Sequence, residues 1–451
     1  MTRLFGTDGV RGLAGVAPMN VEVVLKLGMA LAAYIKQTGV KHNKILIGKD
    51  TRVSGSMLEN ALLAGICSMG VDVLLVGLLP TPGVAFMTRS MLADAGVVIT
   101  ASHNSYEDNG IKIFGANGFK LPDAVEDELE SLMKSERLDL FRAKPAEIGR
   151  VFRIDDAVGR YAVFLKSSLK KNYPLEGLKV ILDTANGAAY KVAPLVFKEL
   201  GAELVVIGDK PDGKNINAGV GSLYPENVAQ LVVQHQADIG IALDGDGDRL
   251  ILADEKGNIV KGDHILAVLA LHFKEAGKLQ NNGLVGTVMS NLGVELALRE
   301  QGINFVRTAV GERYVLEQML KDGYNLGGEP SGHFVVLDYN TAGDGILAVL
   351  MFLSIMIETG KSVSELAGLI KSYPQILLNI KVAHKPPLES LPKLQEVIKK
   401  SEQILTDSGR ILVRYSGTEN KVRVMVEAQD AKLCESVAQN LAEIIKVELG
   451  N

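Results

Sequence analysis

Short apolar runs recur along the first two thirds of the chain. Each ends in a turn of small or polar residues and leads into a stretch with helical spacing. Ile45-Leu46-Ile47-Gly48 runs into Asp50-Thr51-Arg52; the pattern then predicts a helix over Ser56 to Met69, a strand over Val71 to Val76 and a third strand over Ala95 to Ile99. That strand ends in Thr100-Ala101-Ser102-His103-Asn104. A second copy has Val180-Ile181-Leu182 before Asp183-Thr184-Ala185-Asn186-Gly187, then Leu204 to Ile207. Its third strand, Ile239 to Leu243, ends in Asp244-Gly245-Asp246-Gly247-Asp248-Arg249. A fainter third copy has Leu284 to Val288 before Ser290-Asn291-Leu292-Gly293, then Asn304 to Val306 and Tyr324-Asn325-Leu326, ending in Gly328-Glu329-Pro330-Ser331-Gly332-His333.

Strands alternating with helices predict α/β units whose largely parallel sheets are covered on both faces. The unequal spacing of the copies points to repeated domains and not to a solenoid. Open α/β sheets bind ligands outside the carboxyl ends of their strands. Three polar loops at such ends are therefore expected to face one cleft.

The tail breaks the pattern at Ser372-Tyr373-Pro374-Gln375. A strand over Ile376 to Val382, a helix over Leu391 to Leu405, strands over Ile411 to Tyr415 and Val422 to Ala428, and a last helix from about Asp430 to Glu448 predict a small α+β domain. The expected architecture is three similar α/β domains with mixed, largely parallel sheets, plus a smaller C-terminal α+β domain, around a central cleft. Their expected bounds are 1–155, 156–256, 257–371 and 372–451.

Composition narrows the function. The length, 451 residues, suits three or four domains. Glycine supplies 47 of them, above the usual ~7%, as tight functional loops require. Lys and Arg number 48 against 53 Asp and Glu, a formal charge of −5, with no long basic stretch. That disfavours nucleic acid as a partner and means that any anionic ligand is held by local positive groups. The two cysteines, Cys67 and Cys434, lie far apart and outside any metal-ligand spacing, which excludes a disulfide framework and suits a reducing compartment. The first residues show no apolar signal region. The longest clean apolar run, Ile346 to Ile357, is twelve residues, short of the ~20 that span a bilayer. A soluble cytoplasmic protein without a membrane partner is expected.

The strongest chemical signal is Asp244-Gly245-Asp246-Gly247-Asp248. Carboxylates at alternate positions of an extended segment project to one side, and the glycines let the loop curl. Three anions this close require a cation, and an all-oxygen set suits Mg²⁺ or Ca²⁺. An EF-hand is disfavoured because Arg249 occupies the sixth position, where that loop needs glycine. Ser102 offers a nucleophile or phosphoryl acceptor, or simply a turn cap. Its neighbour His103 is expected to diverge from it, as adjacent strand side chains do, so no serine triad is read here. Lys112 can serve proton transfer or charge neutralisation. Glu329, Ser331 and His333 can hydrogen-bond sugar hydroxyls. Arg414, Ser416, Gly417, Thr418 and Arg423 suit a phosphate, with a hairpin turn as the plainer alternative. No GxxxxGK[ST] loop occurs, so an ATP-binding P-loop is not supported.

These four loops, in this order and across nearly the whole chain, resemble the α-D-phosphohexomutase superfamily. Within it, Phe5-Gly6-Thr7-Asp8-Gly9-Val10-Arg11-Gly12 and Tyr106-Glu107-Asp108-Asn109-Gly110-Ile111-Lys112 are similar to the bacterial phosphoglucosamine mutase branch. Ser105, Pro330, Tyr415 and Asn420 depart from that branch's usual Pro, Gln, Lys and Pro. The resemblance implies a mobile C-terminal domain and an enzyme phosphorylated on Ser102. Mg²⁺ would be held by Asp244, Asp246, Asp248 and a phosphoryl oxygen on Ser102. The implied reaction interconverts glucosamine 6-phosphate and glucosamine 1-phosphate through glucosamine 1,6-bisphosphate and supplies UDP-N-acetylglucosamine synthesis. Glu329, Ser331 and His333 would bind the sugar, the loop from Arg414 to Thr418 with Arg423 the resting phosphate, and Arg249 and Arg11 would add positive charge near the phosphoserine. Lys112 and His103 would handle the proton. The implied partners are a phosphosugar, a second copy in a homodimer, and an activating kinase unless Ser102 autophosphorylates. Phosphomannomutase or phosphoglucomutase activity is the alternative. A haloacid-dehalogenase-like phosphatase is disfavoured because Arg249 and Leu250 follow the last aspartate where a hydroxyl residue is needed.

Overall fold

The apolar runs form strands, and the central ones are buried on both faces, as parallel strands between helices must be. The computed structural model describes residues 3–6, 8–39, 42–169, 174–416 and 420–450. The chain divides into two units: Met1–Val288 with Val306–Leu369, and Met289–Phe305 with Ile370–Asn451.

In the first unit, the first sheet contains β1 (Val10–Leu13), β2 (Lys44–Lys49), β3 (Asp72–Leu78), β4 (Ala95–Ile99), β5 (Asp108–Gly115) and β6 (Val151–Arg153), in the order β1-β5-β4-β2-β3-β6. The second contains β7 (Lys179–Asp183), β8 (Glu203–Ile207), β9 (Ile239–Leu243), β10 (Leu250–Ala253) and β11 (Ile259–Val260), ordered β11-β10-β9-β7-β8. The third has β12 (Gly283–Thr287), β13 (Asn304–Thr308, of which this unit takes the residues from Val306), β14 (Leu326–Gly328) and β15 (Phe334–Val336), ordered β13-β12-β14-β15.

One motif underlies all three sheets. β2 is parallel to β3 and β4, and β5 returns antiparallel along β4 with Ile99 opposite Ile111. β7 is parallel to β8 and β9, and β10 returns along β9 with Leu243 opposite Leu250. β12 is parallel to β14, and β15 returns along β14 with Gly328 opposite Phe334. The sequence predicts three strands per copy; the antiparallel fourth is the addition. It makes residues 100–107, 244–249 and 329–333 equivalent connections, each leaving the carboxyl end of the third strand of its copy.

Glycine allows close packing over the first sheet. A Cβ at Gly28 would stand 2.5 Å from the Leu62 carbonyl oxygen, and one at Gly65 would stand 2.2 Å from that of Leu25. Helices Val21–Gln37 and Gly55–Ser68 therefore touch backbone to backbone. The apolar run expected as a buried helix is one, Gly345–Thr359, capped by Asp344 Oδ1 accepting from Leu347 N. Among the described residues no helix is long and apolar enough to cross a membrane.

The pattern predicts strand from Tyr324, but Tyr324 and Asn325 are not strand. The helix Glu312–Asp322 ends at left-handed Gly323, and Tyr324 N–H turns back to the Met319 carbonyl. The Asn325 side chain is engaged by Gln280 N and Asp338. The strand therefore begins at Leu326.

The second unit is built on the antiparallel sheet of β16 (Gln375–Lys381), β17 (Gly409–Tyr415) and β18 (Lys421–Ala428), with β18 central. Helices Pro392–Leu405 and Ala431–Leu449 cover it over a core that includes Val424, Val426, Leu441 and Ile445. Helix Leu292–Glu300 groups with this unit. Asn291, at its N-cap, exchanges hydrogen bonds with the Tyr373 backbone and donates to Glu427, which also takes two bonds from Arg410.

Candidate active site

Ser102 sits just beyond β4 with φ +52°, a left-handed conformation that costs a serine backbone energy. Its N–H donates to Thr100 Oγ1 at 2.9 Å, and Thr100 Oγ1 donates to Asp50 Oδ2 at 2.6 Å. The hydroxyl Oγ donates to Asp244 Oδ2 at 2.7 Å. His103 does not diverge from it. The positive φ breaks the strand alternation, and His103 Nδ1 lies 3.2 Å from Ser102 Oγ. Burial, then Arg249 and Arg11, push the His103 imidazole down to about 4, so it is neutral near pH 7.

Asp244, Asp246 and Asp248 converge as the alternation predicts. One oxygen from each lies within 4.8 Å of the others, and all three residues are buried. Gly245 allows the two loops to meet, since a Cβ there would stand 2.6 Å from the Ser102 carbonyl oxygen. Asp246 Oδ1 and Asp248 Oδ1 are buried without a hydrogen-bond partner. Burial, with the charges of Asp248 and Asp246, pushes Asp244 well above the usual carboxylate range. Two orphaned anionic oxygens in an all-carboxylate cluster fit a hard divalent cation.

Lys112 enters this cluster from β5 and is 2% exposed. Its ammonium lies 3.0 Å from Asp246 Oδ2, 3.3 Å from Asp248 Oδ2 and 3.2 Å from Asp8 Oδ2. Burial opposes the charge, but these carboxylates outweigh it and hold Lys112 well above the usual lysine range. Asp8 also pairs with Lys120, and Lys120 with Glu312. Glu312 Oε1 lies 3.4 Å from His333 Nε2, which lies 3.7 Å from Asp248 Oδ2. A closed circuit of alternating sign results: Asp248, Lys112, Asp8, Lys120, Glu312, His333. Burial disfavours charge on His333, but Glu312 and Asp248 raise it to about 9.

Asp8, Lys120 and Glu312 are not among the sequence candidates. Asp8 lies inside the opening run that carries the resemblance. Nothing in the neighbours of Lys120 distinguishes it from a solvated charge, whereas Glu312 shares the apolar face of its helix with Val315, Leu316 and Met319, a signal that could have found it.

The remaining candidates in this unit line the same site. Arg11, on β1 opposite Gly110, pairs with Asp8 and leaves a buried, unpartnered Nε. Arg249 also has a buried, unpartnered Nε; its backbone bridges to His333 and its N–H donates to Asp244 Oδ1 at 3.1 Å. The sugar-loop candidate Glu329 accepts from Gly311 N at 2.7 Å, with Ser331 Oγ 3.4 Å from its other oxygen. In the second unit Arg414 and Arg423 are directly opposed on β17 and β18. Like charges so placed repel, which an anion between them would relieve. Ser416 follows, its N–H donating to the Lys421 carbonyl and its own carbonyl accepting from Lys385. Gly417 and Thr418 lie outside the described residues.

Known proteins share this order of domains. The chain matches the phosphoglucomutase/phosphomannomutase models for α/β/α domain I over 2–139, domain II over 159–257, domain III over 261–373 and the C-terminal domain over 377–444. It is 56% identical to the phosphoglucosamine mutase of Syntrophotalea carbinolica, over 99% of this chain and 98% of that one. It is 54% identical to that of Geobacter metallireducens over the full length of both. Among solved structures, a phosphoglucomutase/phosphomannomutase family protein from Burkholderia thailandensis superposes with TM-score 0.81 at 24% identity, covering 99% and 97% of the two chains. Aspergillus fumigatus N-acetylphosphoglucosamine mutase, solved with GlcNAc-6P and magnesium, gives 0.68 at 18% identity, covering 98% and 95%. With all four domains matched and relatives more than half identical along its length, the chain belongs to the phosphoglucomutase/phosphomannomutase family.

Proposed function

We propose that this chain is an isomerase that interconverts glucosamine 6-phosphate and glucosamine 1-phosphate through a phosphoserine at Ser102. The carrying observation is the Ser102 hydroxyl, 2.7 Å from Asp244 inside a cluster built for a divalent cation. Relatives 53–56% identical over their whole length are named phosphoglucosamine mutase, which favours glucosamine over glucose or mannose.

The sugar's free hydroxyl oxygen bonds to the phosphorus on Ser102 as the P–Oγ bond breaks. The sugar becomes a 1,6-bisphosphate, and the hydroxyl proton ends on Oγ. The second half runs in reverse with the other phosphate. His103, neutral and 3.2 Å from Oγ, is the group placed to pass that proton. Lys112, clamped by three carboxylates, keeps its charge and acts by neutralisation. Arg11 and Arg249, each with a buried Nε that lacks a partner, would donate to phosphoryl oxygens.

Magnesium on Asp244, Asp246 and Asp248 would withdraw charge from the phosphoryl group in flight. The Aspergillus neighbour carries that metal, and a serine-to-alanine variant of the same enzyme holds glucose 1,6-bisphosphate. Glu329, Ser331 and His333 take the sugar hydroxyls. Arg414, Arg423 and Ser416, with Gly417 and Thr418, take substrate phosphate.

The test is a coupled mutase assay on glucosamine, glucose and mannose 6-phosphates with Mg²⁺ and a trace of bisphosphate. The highest kcat/KM on glucosamine 6-phosphate is expected. Preference for another hexose would overturn the substrate assignment and leave the Ser102 chemistry standing.

A further inference from the structure

The connection that carries Ser102 is gripped from two sides by side chains that the chemistry above does not use. Arg52, whose side chain is fully buried, spends all five of its N–H donors. Nε donates to Asp50 Oδ2 at 2.9 Å. One terminal nitrogen donates to the Ser105 carbonyl and to that of Asp108 at 3.0 Å; the other donates to the carbonyls of Ser102 at 3.0 Å and Asn104 at 2.9 Å. No donor is left for a phosphate, so Arg52 is not a substrate-binding arginine. Asp50 completes the brace through Thr100 Oγ1, which receives the Ser102 N–H.

Asn217 reaches the same atoms from the loop between β8 and the helix Glu226–His235. Its Nδ2 donates to the Ser102 carbonyl at 2.9 Å and to the Asn104 carbonyl at 3.0 Å. Both partners are acceptors only, so the amide's nitrogen and not its oxygen must face them. Its backbone φ is +57°, a conformation asparagine tolerates well. Its own N–H donates to Ala185 O at 2.9 Å. Arg52 follows β2 in the domain that presents Ser102, and Asn217 follows β8 in the domain that presents Asp244, Asp246 and Asp248. Two donors from two domains thus converge on the same two carbonyls.

We infer that Asn217 and Arg52 are positioning residues that hold Ser102 in register with the carboxylates of the second domain. This rests on the phosphoserine reading of Ser102. The left-handed backbone at Ser102 is kept in place by this double grip, and the grip fixes the distance between the nucleophile and the acidic cluster. Displacement of a reacting group by ~1 Å can cost about 10²-fold in rate, so the effect belongs in kcat.

Asn217 carries the test, because Arg52 variants can fail to fold. Asn217→Gly keeps the left-handed backbone and removes the amide; Asn217→Asp keeps the shape and turns an acceptor toward two carbonyls. Both variants are compared with wild type for kcat and KM on glucosamine 6-phosphate, and for amide hydrogen exchange across residues 100–108. The expected result is a kcat loss on the order of 10²-fold in Asn217→Gly and more in Asn217→Asp, with KM changed less than about threefold. Exchange is expected to quicken in 100–108 and not in β4. If shape alone mattered, Asn217→Asp would be the milder change, and that order would overturn the inference. Unchanged exchange at 100–108 in Asn217→Gly would overturn it as well. Exchange is read without substrate, so a wild-type chain inactive on every sugar phosphate would refute the functional reading while exchange still decided the positioning.

Discussion

Ser102 Oγ and Asp244 Oδ2 lie 2.7 Å apart and join the connection after β4 to the connection after β9. An esterified Oγ has no proton to donate. Phosphorylation therefore breaks this bond and frees an Asp244 oxygen for a cation.

The first prediction concerns that hydroxyl. Ser102→Ala removes the phosphoryl carrier, and turnover in the coupled assay is expected to fall by more than about 10³-fold, as for other nucleophile deletions. Intact-mass measurement after incubation with bisphosphate should show one phosphate on wild type and none on the variant. Wild-type turnover by Ser102→Ala would remove the phosphoserine scheme.

Cation binding should appear in stability. A ligand held only by the folded state stabilises it by about 2.7 kcal/mol at a hundred times its Kd. Added Mg²⁺ should raise the thermal midpoint, and EDTA should reverse it. Asp246→Asn, which weakens one of the two orphaned oxygens, should shrink the rise. An equal rise in that variant would place the cation elsewhere.

Lys112 pairs with three carboxylates at once. Removing one partner of a buried ionic cluster typically costs about 3–5 kcal/mol, because the other charges stay behind unpaired. Lys112→Met is expected to lose stability of that order in denaturant unfolding, and Mg²⁺ should recover part of it. A variant as stable as wild type without metal would mean that the carboxylates are neutral and the circuit is not charged.

A separate pH effect comes from Asp344, the N-cap of helix Gly345–Thr359. Burial raises its carboxyl to about 6, although Leu347 N, Tyr161 and Asn340 all donate to it. The native state therefore keeps a proton that the unfolded chain has released. Its contribution is fully present below about pH 4 and is lost as pH rises through about 6, on the order of 3 kcal/mol. Asp344→Asn cannot ionise, so its stability relative to wild type should climb across that window in urea titrations. A difference independent of pH would mean that Asp344 is charged in the native state at both ends.

Much of this was legible in the sequence, for physical reasons. Strands such as Ile239–Leu243 are apolar throughout because both faces are covered, and their bounds are met to the residue. The Asp-Gly alternation from 244 to 248 encodes its own convergence. What was not legible depends on long-range pairing. Lys112 was a candidate, but its place among Asp8, Asp246 and Asp248 depends on β5 folding back along β4 with Val98 opposite Lys112, a matter of register and not of local pattern. Asn217 lies in a loop with no periodicity of its own, and Glu312, though it opens a periodic helix, meets Lys120 only through the packing of separate domains. The contact of Ser102 with His103 required a positive φ that no neighbouring residue announces.

The circuit Asp248, Lys112, Asp8, Lys120, Glu312, His333 draws members from all three α/β domains. No single domain can close it: the first alone would bury an excess of positive charge, and the second an excess of negative. A nascent chain released after its second domain would hold acidic and basic surfaces awaiting partners still to be made. The first two domains together already balance in sign, and Glu312 with His333 adds one charge of each; what waits for the third domain is closure, a partner for Lys120 at one end and for Asp248 at the other.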